Sequence, residues 1–430
     1  MNNFLPLSGE TTRTSASIVS AQTNNLSSQT RKWRIALYSH DTMGLGHKRR
    51  NLLIAQTLGC SSLQTDVLMI SGIQDASNVP KPPGVDYLTL PALHKNVEGQ
   101  YQARRLDLSL QEIITLRSQV ILATIKTFKP DIFIVDNVPR GAVRELDPTL
   151  EYLRTQGKTH CILGLRDILD EPAAVRRDWK RAGNEEAIQK YYDQVWVYGD
   201  RNIYDLTKEY PFQPKTIAKF RYIGYLDQRH RLKHLDLDCV QAFKSLNLPS
   251  ERLVLCLVGG GQDGARLAET FAHAELPLGM NGMILTGPFM PREIRQKLQN
   301  YAAERQNLRI LEYLVEPTLL INQAERVIAM GGYNTTCELL SFGKRSLILP
   351  RIKPRKEQLI RAEKLNSLGL IDFLHPDNLT PAALTNWLQL DIEPPPVREF
   401  VDLKGLTRIP QFINEILISS HQEPPQAKAS

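Results

Sequence analysis

The chain has 430 residues, 42% of them hydrophobic and 23% charged, with five cysteines and a formal net charge of +7. This is an ordinary soluble composition with length for two domains, each able to bury its own core, and no stretch approaches the roughly 18 apolar residues that would cross a bilayer. Cys60, Cys161, Cys239, Cys256 and Cys337 form no C-x-x-C pair or metal-spaced cluster, so they fit reduced core thiols of a cytosolic protein. The excess of Lys and Arg favours anionic partners without choosing among phosphates, nucleic acid and an acidic membrane surface.

Residues 1–32 lack the long apolar core of a signal peptide and are expected to form a disordered leader. From Trp33 onward come the strand-like runs RIALYS, TDVLMIS, VDYLTL, DIFIVD, THCILGL, QVWVYG and FRYIGY, mostly separated by helical periodicity. That alternation predicts a doubly wound parallel sheet in a first α/β domain, 33–225. The pattern lapses over 226–248, expected as a linker. It restarts at RLVLCLVGGG and continues with GMILTG, LRILEYL, RVIAM and RSLILP, giving a second domain, 249–393. The prolines of DIEPPPVREF then predict a crossing linker and a last helix over 394–420, with a disordered tail at 421–430.

Both domains open on a strand, a glycine-rich turn and a helix, so both first turns aim backbone N–H groups outward at the carboxyl end of a sheet, where α/β folds bind ligands. In the first domain that turn is SHDTMGLGHKRRN, with Gly44, Gly46 and then His47 at a helix start. It matches neither a Walker loop nor a complete dinucleotide fingerprint. His47 can be a capping residue or a general base. Two further strand ends, Asp136 with Asn137 and Arg166 with Asp167, are expected on the first domain's side of the cleft. A structural pair between Arg166 and Asp167 competes equally with that role.

In the second domain, VGGGQDGARLAE satisfies G-x-G-x-x-G through Gly259, Gly261 and Gly264 and points to an anion at a helix N-terminus. The next strand ends in Thr286, Gly287 and Pro288 without the acid that holds a dinucleotide's ribose, which argues against a nicotinamide or flavin site. In MGGYNTTCELLS, Gly331 and Gly332 admit a ligand close to the backbone, Asn334, Thr335 and Thr336 can cap the following helix, and Glu338 can accept from vicinal hydroxyls. After RSLILP, Glu357 and Gln358 precede the buried face of an amphipathic helix and are expected to reach the cleft beside Arg351, Lys353, Arg355 and Lys356. A solvated basic loop explains those four cations as well.

The order G-L-G-H, G-G-G-Q-D-G, T-G-P, M-G-G-Y-N-T-T-C-E-L-L-S-F-G-K and E-Q-L-I-R-A resembles glycosyltransferase family 28, the MurG-like family, from about Trp33 to Leu374. The resemblance implies a GT-B fold: two Rossmann-like domains facing across a cleft, nucleotide-sugar in the second and acceptor in the first. It implies donor contacts from Gly259, Gly260, Gly261, Gln262, Gly331, Gly332, Tyr333, Asn334, Thr335, Thr336, Glu338, Glu357 and Gln358. It places His47 as catalytic base and Gly44, Gly46, Asp136, Asn137, Arg166 and Asp167 on the acceptor side. The activity implied is an inverting hexosyl transfer from a UDP-linked sugar.

No D-x-D stands at a suitable strand end, consistent with transfer that needs no metal or other cofactor. The partners expected are the nucleotide-sugar and a hydroxyl acceptor, either lipid or small metabolite. Nucleic acid is not expected, because the cations are dispersed and no aromatic stacking motif accompanies them. Within LHKNVEGQYQARRLDLSLQEIITLRSQ, Arg104 and Arg105 fit an ordinary solvated helix face better than a basic face that approaches anionic lipid, which would add a peripheral membrane contact to a cytoplasmic location. A sugar-nucleotide epimerase on the same fold and a non-catalytic nucleotide-sugar sensor are the rival readings.

Overall fold

The computed structural model describes residues 32–41, 46–72, 82–95, 100–248, 252–261 and 263–422. The expected leader up to residue 31, the tail from 423, Gly44 and Gln262 lie outside the described residues. The first sheet uses β1 (Trp33–Ser39), β2 (Thr65–Ser71) and β3 (Val85–Thr89); β4 (Leu93–Lys95) and β5 (Tyr101–Ala103) form a separate antiparallel hairpin. It is completed by β6 (Ile132–Asp136), β7 (His160–Arg166), β8 (Gln194–Tyr198) and β9 (Phe220–Tyr222). The second sheet contains β10 (Arg252–Leu257), β11 (Met280–Leu285), β12 (Leu308–Leu311), β13 (Arg326–Met330), β14 (Arg345–Leu349) and β15 (Asp372–Phe373).

The strand orders are β3-β2-β1-β6-β7-β8-β9 and β12-β11-β10-β13-β14-β15, and all these pairings are parallel. In each sheet the winding direction reverses beside its first strand, so the loops after β1 and β6, and after β10 and β13, diverge and leave a crevice at the carboxyl edge. Helices cover both faces, which is why the strands are near-continuous apolar runs. Along β10, Leu253, Leu255 and Leu257 face one core while Val254 and Cys256 face another, as the two-residue period of a strand requires.

All seven runs of the first series are strands of one sheet, and the five of the second series form β10 to β14. The β15 edge strand and the β4–β5 hairpin escape sequence reasoning because they are only two and three residues long. Arg104 and Arg105 do not sit on a helix face. They belong to an exposed stretch between β5 and the helix Leu110–Phe128, which starts at the capping box of Ser109 and Glu112.

One core runs from the first sheet through Tyr225 and Leu226 to the inner face of the second sheet, and takes in the last helix, Gly405–Gln422. That helix packs on the helix Gly46–Gly59 of the first lobe. Its buried face is Leu406, Ile409, Ile413, Ile416 and Leu417, at helical spacing. Phe412 stands edge-on to Trp196 at 6.1 Å between ring centroids. Tyr225 N–H donates to Asp402 O at 2.8 Å, which ties the returning chain to the end of the first lobe.

Candidate active site

A cavity of about 330 Å3 lies between the lobes at both carboxyl edges. The first lobe lines it with Gly46, His47, Arg49, Arg50 and Arg166, the second with Gly259, Gly260, Glu338 and the turn Gly332 to Thr335.

His47 stands in the first turn of the helix Gly46–Gly59, directly opposite the end of β6. Its Nδ1 is 2.5 Å from Asp136 Oδ2. A carboxylate at that distance selects the tautomer with hydrogen on Nδ1 and leaves Nε2 as an acceptor. Arg50 grips the same carboxylate: its Nη2 donates to Oδ1 at 2.6 Å and Oδ2 at 2.7 Å, and its Nε to Oδ1 at 3.0 Å. Burial disfavours the charge on Asp136, yet Arg50 and His47 more than offset this and hold its carboxyl well below the usual range. Asp136 is therefore an anion that orients the imidazole, and Arg50 pins the anion.

In the second lobe Gly261 has φ +91, and a Cβ there would overlap Thr286 O. Gly264 has no room either, since a Cβ would overlap Val258; the following helix, Ala265–His273, therefore packs tight against the turn. The helix Tyr333–Phe342 begins after Gly332 with no side-chain cap. Its first-turn residues Tyr333, Asn334 and Thr335 line the cavity, so N–H groups that precede the first intrahelical bond face it. Asn334 is not a cap: its Nδ2 donates across the cleft to Gly46 O at 2.7 Å. Tyr333 Oη likewise donates to Tyr198 O at 2.7 Å.

Glu338 lines the cavity one turn further along that helix. Arg49 Nη2 donates to Glu338 Oε1 at 3.2 Å and to Glu316 Oε1 at 2.9 Å, and Arg231 Nη2 donates to Arg49 O at 2.6 Å. Burial raises the Glu338 pKa against the pull of Arg49 and Arg231, with Glu316 adding to the rise. Glu316 is buried too, but Arg49 and Arg231 bring its pKa down. Arg231 itself is lowered to about 10 by burial and by Arg49.

Several expected site residues are placed elsewhere. Glu357 and Gln358 do start a helix, Glu357–Ser367, but they are absent from the cavity lining because Arg351 claims them: its Nη2 donates to Glu357 at 3.0 Å and its N–H to Gln358 Oε1 at 3.0 Å. Asp167 is 1% exposed and serves the join between the lobes. It accepts from Arg361 Nη2 at 2.7 Å and Nε at 2.9 Å, and from Tyr225 Oη at 3.0 Å. It does not pair with Arg166, whose Nε donates to Asn137 Oδ1 at 3.3 Å. Gly331, Thr336 and Gly261 support the turns without lining the cavity. Arg49 and Arg50 were missed, and their signal was visible: the run HKRR places cations in a helix's first turn, where the dipole opposes them unless carboxylates are waiting. Among the described residues no three His, Cys, Asp or Glu side chains gather as a metal-holding group.

Two facing Rossmann-like lobes with a shared cavity and a helix that returns to the first lobe define a GT-B protein. MurG of Acinetobacter baumannii shares this fold, with 13% identity, a TM-score of 0.52, and 90% of this chain and 100% of that one covered. So does a UDP-GlcNAc 2-epimerase of Neisseria meningitidis bound to UDP-GlcNAc, with 13% identity, a TM-score of 0.56 and the same coverage of 90% and 100%. Residues 254–400 match the glycosyltransferase family 28 C-terminal domain. An uncharacterized glycosyltransferase of Methanosarcina acetivorans is 24% identical over 266 residues, 57% of this chain; the chain spans 60% of that relative's length. The second lobe is thus similar to the family 28 C-terminal domain over residues 254–400, and the whole chain has the GT-B fold that MurG shares.

Proposed function

We propose that the protein is an inverting glycosyltransferase, passing a sugar from a UDP-linked donor to a hydroxyl acceptor without a metal ion, in the cytoplasm. The observation that carries this reading is the convergence on one cavity of an Asp136-oriented His47 from the first lobe with Glu338 and the helix start at Tyr333 from the second. The family 28 domain at residues 254–400 supports it.

The helix start and the turn at Gly259 and Gly260 suit a diphosphate, because backbone N–H dipoles compensate its charge. Glu338 suits the ribose hydroxyls as their acceptor. His47 Nε2 takes the proton of the attacking hydroxyl as its oxygen bonds to the anomeric carbon from the side opposite the leaving group. The bond from that carbon to the distal phosphate oxygen breaks, its electron pair leaves with the nucleoside diphosphate, and the imidazolium that forms sits against ionised Asp136. Attack from that side inverts the anomeric centre.

The test is incubation with a panel of nucleotide-sugars and extracted cell metabolites. Release of nucleoside diphosphate that depends on an added acceptor is expected; donor isomerised without acceptor would make the protein an epimerase, and binding without turnover a sensor. His47→Ala should cut turnover by about 10^2 to 10^4 while donor affinity holds. Unchanged turnover rejects His47 as the base.

A further inference from the structure

The cavity contains an imbalance of charge. Arg49 is matched by Glu316 and Glu338, Arg50 by Asp136, and the neighbouring Arg361 by Asp167. Arg166, at the end of β7, is the exception. It lines the cavity and is partly buried, and among the described residues no carboxylate lies within ion-pair distance of it. Its hydrogen-bond partner is the neutral Asn137 amide, held in a left-handed conformation at φ +64. Two carboxylates act on it from further off: Asp167 is taken by Arg361, and Glu357 gives Oε1 to Arg351 while its buried Oε2, with no hydrogen-bond partner among the described residues, lies beyond ion-pair distance of Arg166. Burial lowers its pKa, and the charges of Arg361 and Arg50 add to that. A guanidinium does not shed its proton in a protein, so this charge persists and requires an anion.

We propose that Arg166 reaches across the cleft to hold a phosphoryl group of the donor's diphosphate, which sits between it and the start of the helix Tyr333–Phe342. The inference rests on the nucleotide-sugar reading above and moves Arg166 from the acceptor side to the leaving group. The helix start supplies N–H dipoles from one lobe, and Arg166 supplies a full charge from the other. Negative charge grows on the distal phosphate as the bond to the anomeric carbon breaks, so the cation contributes more in the transition state than in the ground state. A diphosphate held this way also bridges the lobes.

The test compares the parent with Arg166→Gln and Arg166→Lys. The probes are uridine, guanosine, thymidine and adenosine diphosphates, each beside its own nucleoside, followed by thermal shift and calorimetry. Loss of a charge-assisted hydrogen bond should weaken the best diphosphate roughly tenfold to a hundredfold in Arg166→Gln. The matching nucleoside should bind both proteins alike, which a merely structural role would not produce. Arg166→Lys keeps the charge and should lose less; it carries the test if the Gln variant does not fold. Equal diphosphate affinity in all three overturns the inference while leaving the glycosyltransferase reading intact. A change confined to the acceptor's KM overturns it in favour of an anionic acceptor. If no diphosphate binds the parent, both readings fall.

Discussion

At the scale of single residues the site is governed by where buried charges find partners. Asp136 is buried among His47 and Arg50, so Asp136→Asn leaves Arg50 enclosed without its anion and should lower the unfolding free energy by about 3–5 kcal/mol at neutral pH, read by urea unfolding. The pH dependence has a definite sign. A carboxyl depressed in the folded state contributes stability that is fully present above its unfolded pKa of about 3.9 and is lost as the pH falls through the folded value. The gap between parent and variant should therefore be constant near neutrality and close below about pH 4. Glu338 carries the donor prediction: Glu338→Ala removes the expected acceptor for two ribose hydroxyls and should weaken donor binding roughly tenfold to a hundredfold in calorimetry. Equal affinities would dismiss that role. His47 and Glu338 were legible in the sequence because each stands one short step past a glycine turn at a strand end. The partner of each was not, since Asp136 and Arg49 lie 89 and 289 residues away from them in sequence.

At the scale of elements, the strand–turn–helix unit that opens the second lobe depends on backbone conformations closed to other residues. Gly261→Ala sets a Cβ against Thr286 O at φ +91 and should cost about 2 kcal/mol or more, seen as a lower Tm together with a reduced shift from added nucleoside diphosphate. A lower Tm with ligand response intact would separate the turn's structural role from binding. The strands of both sheets were legible because burial on both faces writes each as an apolar run. Glu357 and Gln358 show the limit of that legibility. Their helix was placed correctly, yet which way its first turn leans depends on Arg351, seven residues or fewer before them, folding back to take both side chains.

At the scale of the molecule the lobes are joined by polar contacts that sequence order does not advertise. Asp167 meets Arg361 and Asp170 Oδ1 accepts from Lys356 N–H at 2.8 Å, while Arg398 of the crossing segment donates to Asp227 Oδ2 of the linker between the lobes at 2.9 Å. The returning helix adds an apolar seam through Leu406, Ile409, Ile413, Ile416 and Leu417. Each such side chain contributes about 1.5–3 kcal/mol on burial, so together they rival the 5–15 kcal/mol that holds a typical domain. Truncation before Gly405 should therefore leave a first lobe that is open to proteolysis and aggregates on size exclusion. A monodisperse, protease-resistant product would show that the helix is dispensable. By itself the sequence determined two parallel α/β lobes, the glycine turns at their switch points and the candidate base, because strand burial and backbone freedom are written locally in residue type. Only the tertiary structure decided which charges are spent on each other and which are left for a ligand, because pairing in a low-dielectric cleft depends on distances between segments hundreds of residues apart.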